Sequence, residues 1–159
     1  MIKNFSNQEV IINKDLPSIF LAGPTMRNST FEKSWRKEAC NILEMLNYNG
    51  VVYIPEFSDD NIQRDYLRQT EWERTALINA DIIIFYIPRK LPEMPGLTTN
   101  VEFGMYLARK PESVLLCCPE GSEKNRYLEW LYTKERPGKM IHKNLKELLE
   151  EAVRELEEK

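Results

Sequence analysis

The chain has 159 residues, 42% of them hydrophobic and 30% charged, with a formal net charge of −3. That length suits one domain with one sizeable core, and the composition is that of a globular chain. The weak negative charge argues against nonspecific binding to nucleic acid or anionic membrane, and no apolar run reaches the roughly 20 residues a membrane helix needs.

The amino-terminal stretch MIKNFSNQEV is polar and lacks an apolar signal core, so a cytoplasmic protein is expected. EVIIN (residues 9–13) reads as an antiparallel edge strand. SIFLAG (residues 18–23) is the first of four short, continuous runs of β-branched, aliphatic and aromatic residues. The others are VVYIP (51–55), DIIIFYIP (81–88) and SVLLCCP (113–119). Such runs suit strands buried on both faces, as in a parallel sheet. KMIH (139–142) reads as a weak fifth strand.

Helical periods lie between these runs. Ser29 and Glu32 have the spacing of a capping box, and Phe31, Trp35, Ala39, Ile42, Leu43 and Leu46 form one apolar stripe. Ile62, Tyr66, Ala76, Leu77 and Ala80 mark a second helix, with Glu73 near the middle of its apolar face. PGLTTNVEFGMYLARK (95–110) runs from a loop into a third helix and places Glu102 one turn inside it. Leu145, Leu148, Leu149, Ala152, Val153 and Leu156 mark the last.

This alternation implies an α/β fold: a doubly wound sheet of about five parallel strands with helices on both faces, in a single domain over residues 1–159. Each of the four clear strands ends at or beside a proline (Pro24, Pro55, Pro88, Pro119), which cannot continue the ladder. The loops that follow share the carboxyl edge of the sheet, where such folds bind ligands.

The candidate chemistry is carboxylate chemistry. Only one histidine, His142, is present, so neither a His-based triad nor a zinc site is expected, and no cofactor or metal is called for. The adjacent Cys117 and Cys118 lie in an apolar run and read as reduced core residues. Thr99-Asn100-Val101-Glu102 fits a capping box, which would make Glu102 structural. Gly104 weighs the other way. It costs about 1 kcal/mol against alanine in a helix interior, which points to a ligand or another backbone passing close by.

Glu73 on an apolar face is either a general acid with a raised pKa or half of a buried ion pair with Arg36 or Arg27. Gly23 and Pro24 end the first strand, and Gly23 lets a ligand approach the backbone. Arg27, Arg89 and Arg126 stand one in each of three carboxyl-edge loops and would suit a phosphate or carboxylate if they converged. Tyr86, Tyr106 and Tyr127 read as packing residues or as platforms for a base. Two carboxylates at one sugar-sized crevice suggest glycosyl chemistry.

The blocks FLAGPT, SWRKEA, VVYIPE, EWERTALINADIIIFYIPR, TTNVEFG and NRYLEWL follow in order from about residue 19 to residue 132. With them the chain resembles the nucleoside 2-deoxyribosyltransferase-like family. The resemblance implies a flavodoxin-like fold and a homodimer or higher oligomer in which a neighbour's residues complete each site. It makes Glu102 of Glu102-Phe103-Gly104 the nucleophile and Glu73 the acid on the base side. Gly23, Pro24 and Thr25 would wall the sugar or its 5′ substituent, and Asn125 and Tyr127 would lie in the segment that reaches a neighbouring site. Arg27, Arg89, Thr99 and Asn100 complete the expected substrate-binding set.

The chain departs from better-studied members at Gly96, where they carry an aspartate, at Thr98 in place of glycine, and at Tyr106 in place of alanine. The resemblance implies a small-molecule nucleoside or nucleotide as partner, with no nucleic acid polymer and no membrane. The expected activity is attack of Glu102 on C1′ and transfer of the sugar between bases. A nucleoside 5′-monophosphate N-glycosidase and a non-catalytic nucleotide-binding sensor on the same fold are the alternatives.

Overall fold

The structure is a computed structural model and describes residues 1–59, 63 and 65–158. The strands are β1 (Ile2–Phe5), β2 (Ser18–Ala22), β3 (Val51–Ile54), β4 (Ile82–Tyr86) and β5 (Val114–Cys117). They form one sheet in the order β1-β3-β2-β4-β5, with every pair parallel. Every residue of β2, β3 and β5 is buried, so these strands show none of the alternation of a one-sided sheet.

Neighbouring side chains along a strand point to opposite faces, which divides the core in two. Phe20, Tyr53, Ile83 and Phe85 pack with α2 (Tyr66–Asn79), α3 (Leu97–Arg109) and α4 (Arg126–Glu135). Ile19, Leu21, Ile82 and Ile84 pack with α1 (Trp35–Met45) and α5 (Leu145–Glu157). Helices therefore cover both faces, giving the α/β, flavodoxin-like doubly wound architecture. No helix among the described residues is long and apolar enough to cross a membrane.

Both edges of the sheet differ from the sequence expectation. Residues 9–13 form no strand. The edge is β1, aligned parallel to β3 with Ile2 opposite Val51 and Phe5 opposite Ile54. Its sequence, IKNF, has apolar residues only at its ends and so carries no strand-like run. The buried Asn4 side chain instead ties down the following segment, donating to Glu9 O at 2.9 Å and accepting from Ile11 N at 2.9 Å. At the far edge, residues 139–142 contribute one parallel bridge between His142 and Cys117, short of a strand.

Two expected helix starts also move. α1 begins at Trp35, capped by Ser34, whose Oγ accepts from Arg36 N at 3.1 Å. Phe31–Lys33 is a separate 3-10 turn, so Ser29 and Glu32 form no capping box. Asp65 caps α2 by accepting from Arg68 N, and Ile62 lies outside the described residues. Tyr66 is 79% exposed; the buried face of α2 is Trp72, Ala76 and Leu77.

α3 starts earlier than the motif suggests. Gly96 is its N-cap, in the left-handed region at φ 61, and Leu97 is already helical. Thr99 and Glu102 thus lie inside the helix, and the expected capping box between them is absent. A Cβ on Gly96 would stand 2.9 Å from Pro24 Cβ, so the residue serves both the turn and a close approach to the loop after β2.

The chain passes from β2 to β3 on one side and then crosses to β4 on the other. The loops leaving β2 and β4 diverge at this switch point and open a crevice at the carboxyl edge. Gly23 permits it: a Cβ there would lie 2.1 Å from Tyr86 O, which shows how closely the end of β2 meets β4.

Candidate active site

A cavity of about 540 Å³ lies at this switch point, walled by the loop after β2, by α2 and by the first turns of α3. Glu102 reaches it because Thr99 and Tyr106, three residues before and four after, are buried and line the same wall. Glu73 reaches it from α2, beside the buried Trp72 and one turn before Leu77.

The two carboxyl groups differ in their partners. Glu73 Oε1 accepts a hydrogen bond of 2.9 Å from Gln69 Nε2, one turn earlier, and forms no ion pair with Arg36 or Arg27 among the described residues. Glu102 has no side-chain hydrogen bond or ion pair among the described residues. Burial pushes the Glu102 carboxyl up to about 7, the Glu73 charge adds to that rise, and Arg36 opposes it. Burial also raises Glu73, while the Gln69 hydrogen bond and Arg36 pull it back. The Glu73 charge thus adds to burial in favouring the protonated form of Glu102.

Gly23, Pro24, Thr25, Arg27 and Thr99 join the two glutamates on the wall of this cavity. Arg27 is exposed and forms no ion pair among the described residues. Arg89, Asn100 and Asn125 are brought together elsewhere. Arg89 is buried and donates through Nε to Asn125 Oδ1, through Nη1 to Pro95 O and through Nη2 to Asn100 Oδ1. Asn125 in turn donates to Ile87 O. This network clamps the loops after β4 and β5 to the start of α3, and none of its three side chains lines the cavity. Tyr127 is 66% exposed on α4, tilted against Trp130 and likewise away from the wall. Arg126 opens α4, and Tyr86 packs against Trp35.

Gly104 does not line the cavity either. A Cβ there would meet nothing within 4 Å, so no ligand-facing wall and no backbone of the chain accounts for it. Tyr106 is buried on the cavity wall with a hydroxyl that has no hydrogen-bond partner among the described residues. No group of three or more His, Cys, Asp or Glu side chains suited to a metal occurs among the described residues.

Sequence reasoning misses Arg36 as a site residue and offers it only as a partner for Glu73. Arg36 lines the cavity while only 1% exposed. A signal for it exists: Arg36 shares a helical face with Ala39, Cys40 and Leu43, all buried, and a charge on such a stripe needs partners. Gln69 and Arg74 also line the wall and carry no such signal.

The family model described as "Nucleoside 2-deoxyribosyltransferase like" matches residues 16–122, a span that includes both glutamates and the loop after β2. No curated protein matches the chain.

Proposed function

The chain belongs to the nucleoside 2-deoxyribosyltransferase-like family, and we propose that it transfers the sugar of a nucleoside or nucleotide between bases, with Glu102 as nucleophile. The observation that carries this reading is one cavity lined by two carboxyl groups, one of them without a side-chain partner among the described residues. Burial and the Glu73 charge favour a proton on Glu102, so the reactive form is the one in which that proton has passed to Glu73, and its ionised Glu102 attacks C1′. The C1′–N bond breaks, its electron pair goes to the base nitrogen, and that nitrogen takes the proton of Glu73, directly or through water. The products are a glycosyl ester on Glu102, a free base and ionised Glu73. In the second half, an incoming base nitrogen attacks C1′, its proton passes to Glu73, and the ester bond breaks to restore the Glu102 carboxylate.

Water in place of the second base makes the same chemistry a hydrolysis. Arg27 favours a nucleoside 5′-monophosphate as that substrate, because an exposed guanidinium on the cavity rim suits a phosphate. The remaining members of the expected set, Gly23, Pro24, Thr25 and Thr99, would form the wall against the sugar. A second copy of the chain also belongs to this reading. α3 leaves Leu97 and Val101 74% and 67% exposed, and Gly104 leaves a gap on that side of the helix. With the exposed Tyr127 and Trp130 of α4 this is apolar surface of the kind that oligomers cover. The three cysteines are free and buried, in keeping with a cytoplasmic protein.

The test is incubation of the purified protein with deoxynucleosides and free bases, and separately with nucleoside monophosphates. Base exchange or base release above a Glu102→Ala control is expected. If neither appears, the enzyme reading is wrong; tight binding of an intact nucleotide, unchanged in Glu102→Gln, would make the protein a sensor instead.

A further inference from the structure

A second cavity, of about 410 Å³, lies beside the first at the carboxyl edge of the sheet. The two share Thr25, Arg27, Pro55 and Gln69 as walls, so they are neighbouring compartments of one crevice. Glu56, in the loop after β3, lines the second compartment and not the first.

The two oxygens of Glu56 have different surroundings. The side chain is 9% exposed. Oε1 accepts from Ser34 Oγ at 2.7 Å and from Arg36 Nη1 at 2.9 Å. Both donors belong to α1 and its cap, and neither lines the second cavity. Oε2 is buried and has no hydrogen-bond partner among the described residues. Leaving a buried acceptor unpaired is costly, and a bound group that donates to it removes that cost.

Gln69 connects this compartment to the chemistry. It lines both cavities, and its Nε2 donates to Glu73 Oε1 at 2.9 Å. In the reaction proposed above, Glu73 gives its proton to the departing base. The base therefore lies against Glu73 and Gln69, on the boundary between the compartments, with the sugar on the Glu102 side. Its outer edge, remote from the sugar, extends into the second compartment.

We propose that the second cavity holds the outer edge of the base and that Glu56 Oε2 reads it, selecting bases that carry an exocyclic amino group there. The placing of the sugar is taken from the reaction proposed above, on which this rests. A carboxylate accepts hydrogen bonds and has none to give. An amino group supplies the donor that Oε2 lacks. A base with a carbonyl oxygen in its place sets acceptor against acceptor in a buried setting. Phe31 and Pro55 add apolar wall for a flat ring. Arg27 also reaches this compartment, but a phosphate is a poor occupant of it, because it would meet the unpartnered carboxylate oxygen.

The test measures binding of intact nucleotides. Glu102→Gln protein is titrated by calorimetry with two pairs of nucleoside 5′-monophosphates, cytidine against uridine and adenosine against inosine. Within each pair an amino group on the outer edge is exchanged for a carbonyl. For the ring size that the compartment takes, the amino member should bind about tenfold more tightly or better. The double variant Glu102→Gln/Glu56→Gln should reverse that preference. Arg36 can only donate, so the new amide turns its carbonyl to Arg36 and its NH2 to the cavity, where it favours the carbonyl member. A Glu56 that is merely structural, or an Oε2 satisfied by water, would change both members of a pair alike. Equal binding within both pairs, no binding of any of the four, or a preference that Glu56→Gln leaves in place overturns the proposal. If the double variant does not fold, the preference measured in Glu102→Gln decides alone. Reversal without base release by the wild type would refute the proposed reaction and leave the base compartment standing; base release with no preference would do the opposite.

Discussion

Glu73 and Glu102 face a single cavity from two different helices, and the Glu73 charge raises the cost of ionising Glu102. α2 and α3 meet there because β2 and β4 are neighbours in the sheet while their following loops turn away from each other. The same burial that makes this pair chemically useful makes it a burden on the fold.

That burden has a definite pH dependence. The Glu102 carboxyl is raised from 4.5 to about 7 in the folded chain. Below about pH 4.5 both states hold the proton, and its burial costs no ionisation. As pH rises from there, the unfolded chain releases its proton first, so stability falls until the folded group ionises as well. Glu102→Gln removes this loss. The variant should be more stable than wild type by on the order of 2 kcal/mol at pH 8 and nearly equal to it at pH 4. Urea unfolding at the two pH values checks this.

Two glycines of the third helix region should respond to alanine in opposite ways. Gly96 adopts φ 61, and its Cβ would press on Pro24, so Gly96→Ala should cost about 1–2 kcal/mol. Gly104 is helical and open, so Gly104→Ala should stabilise the isolated fold by about 0.5–1 kcal/mol. Thermal unfolding of both variants reads the difference. A Gly104→Ala protein that dissociates more readily than wild type would show that a second copy uses the gap.

Arg89 and Arg27 should separate structure from binding. Arg89 is buried with three protein acceptors, so Arg89→Gln should destabilise by about 2–4 kcal/mol. Its folded fraction should keep an unchanged KM for nucleoside monophosphates. Arg27→Gln should leave stability within about 0.5 kcal/mol of wild type and raise that KM about tenfold, with little effect on substrates lacking the phosphate. Steady-state kinetics with both substrate types, beside denaturation curves, distinguishes the two.

The parallel sheet was legible because residues 18–23, 51–55, 81–88 and 113–119 are apolar without alternation, which only a sheet covered on both faces explains. β1 was not, because Ile2–Phe5 is held by backbone pairing and by Asn4 rather than by a run of apolar side chains. Glu73 was legible as a carboxyl on an apolar face. The environment of Glu102 was hidden by a local alternative, since Thr99-to-Glu102 spacing describes a helix start, while the structure starts α3 earlier at a left-handed glycine. The Arg89 network joins positions 89, 95, 100 and 125, and the bonds of Arg36 reach 21, 23, 25 and 56. Contacts of that range follow from the sheet order and leave no periodic trace along the chain.

The most direct measurement is mass spectrometry of the protein after reaction with a 2′-fluoro-arabinosyl nucleoside or its 5′-monophosphate, a substrate type whose glycosyl ester breaks down slowly. One sugar, or sugar phosphate, should be found attached to Glu102 in the peptide ending at Arg109, with base released in equal amount and none attached in Glu102→Gln. Base release with Glu102 unmodified, or with the sugar on another residue, would contradict Glu102 as the nucleophile.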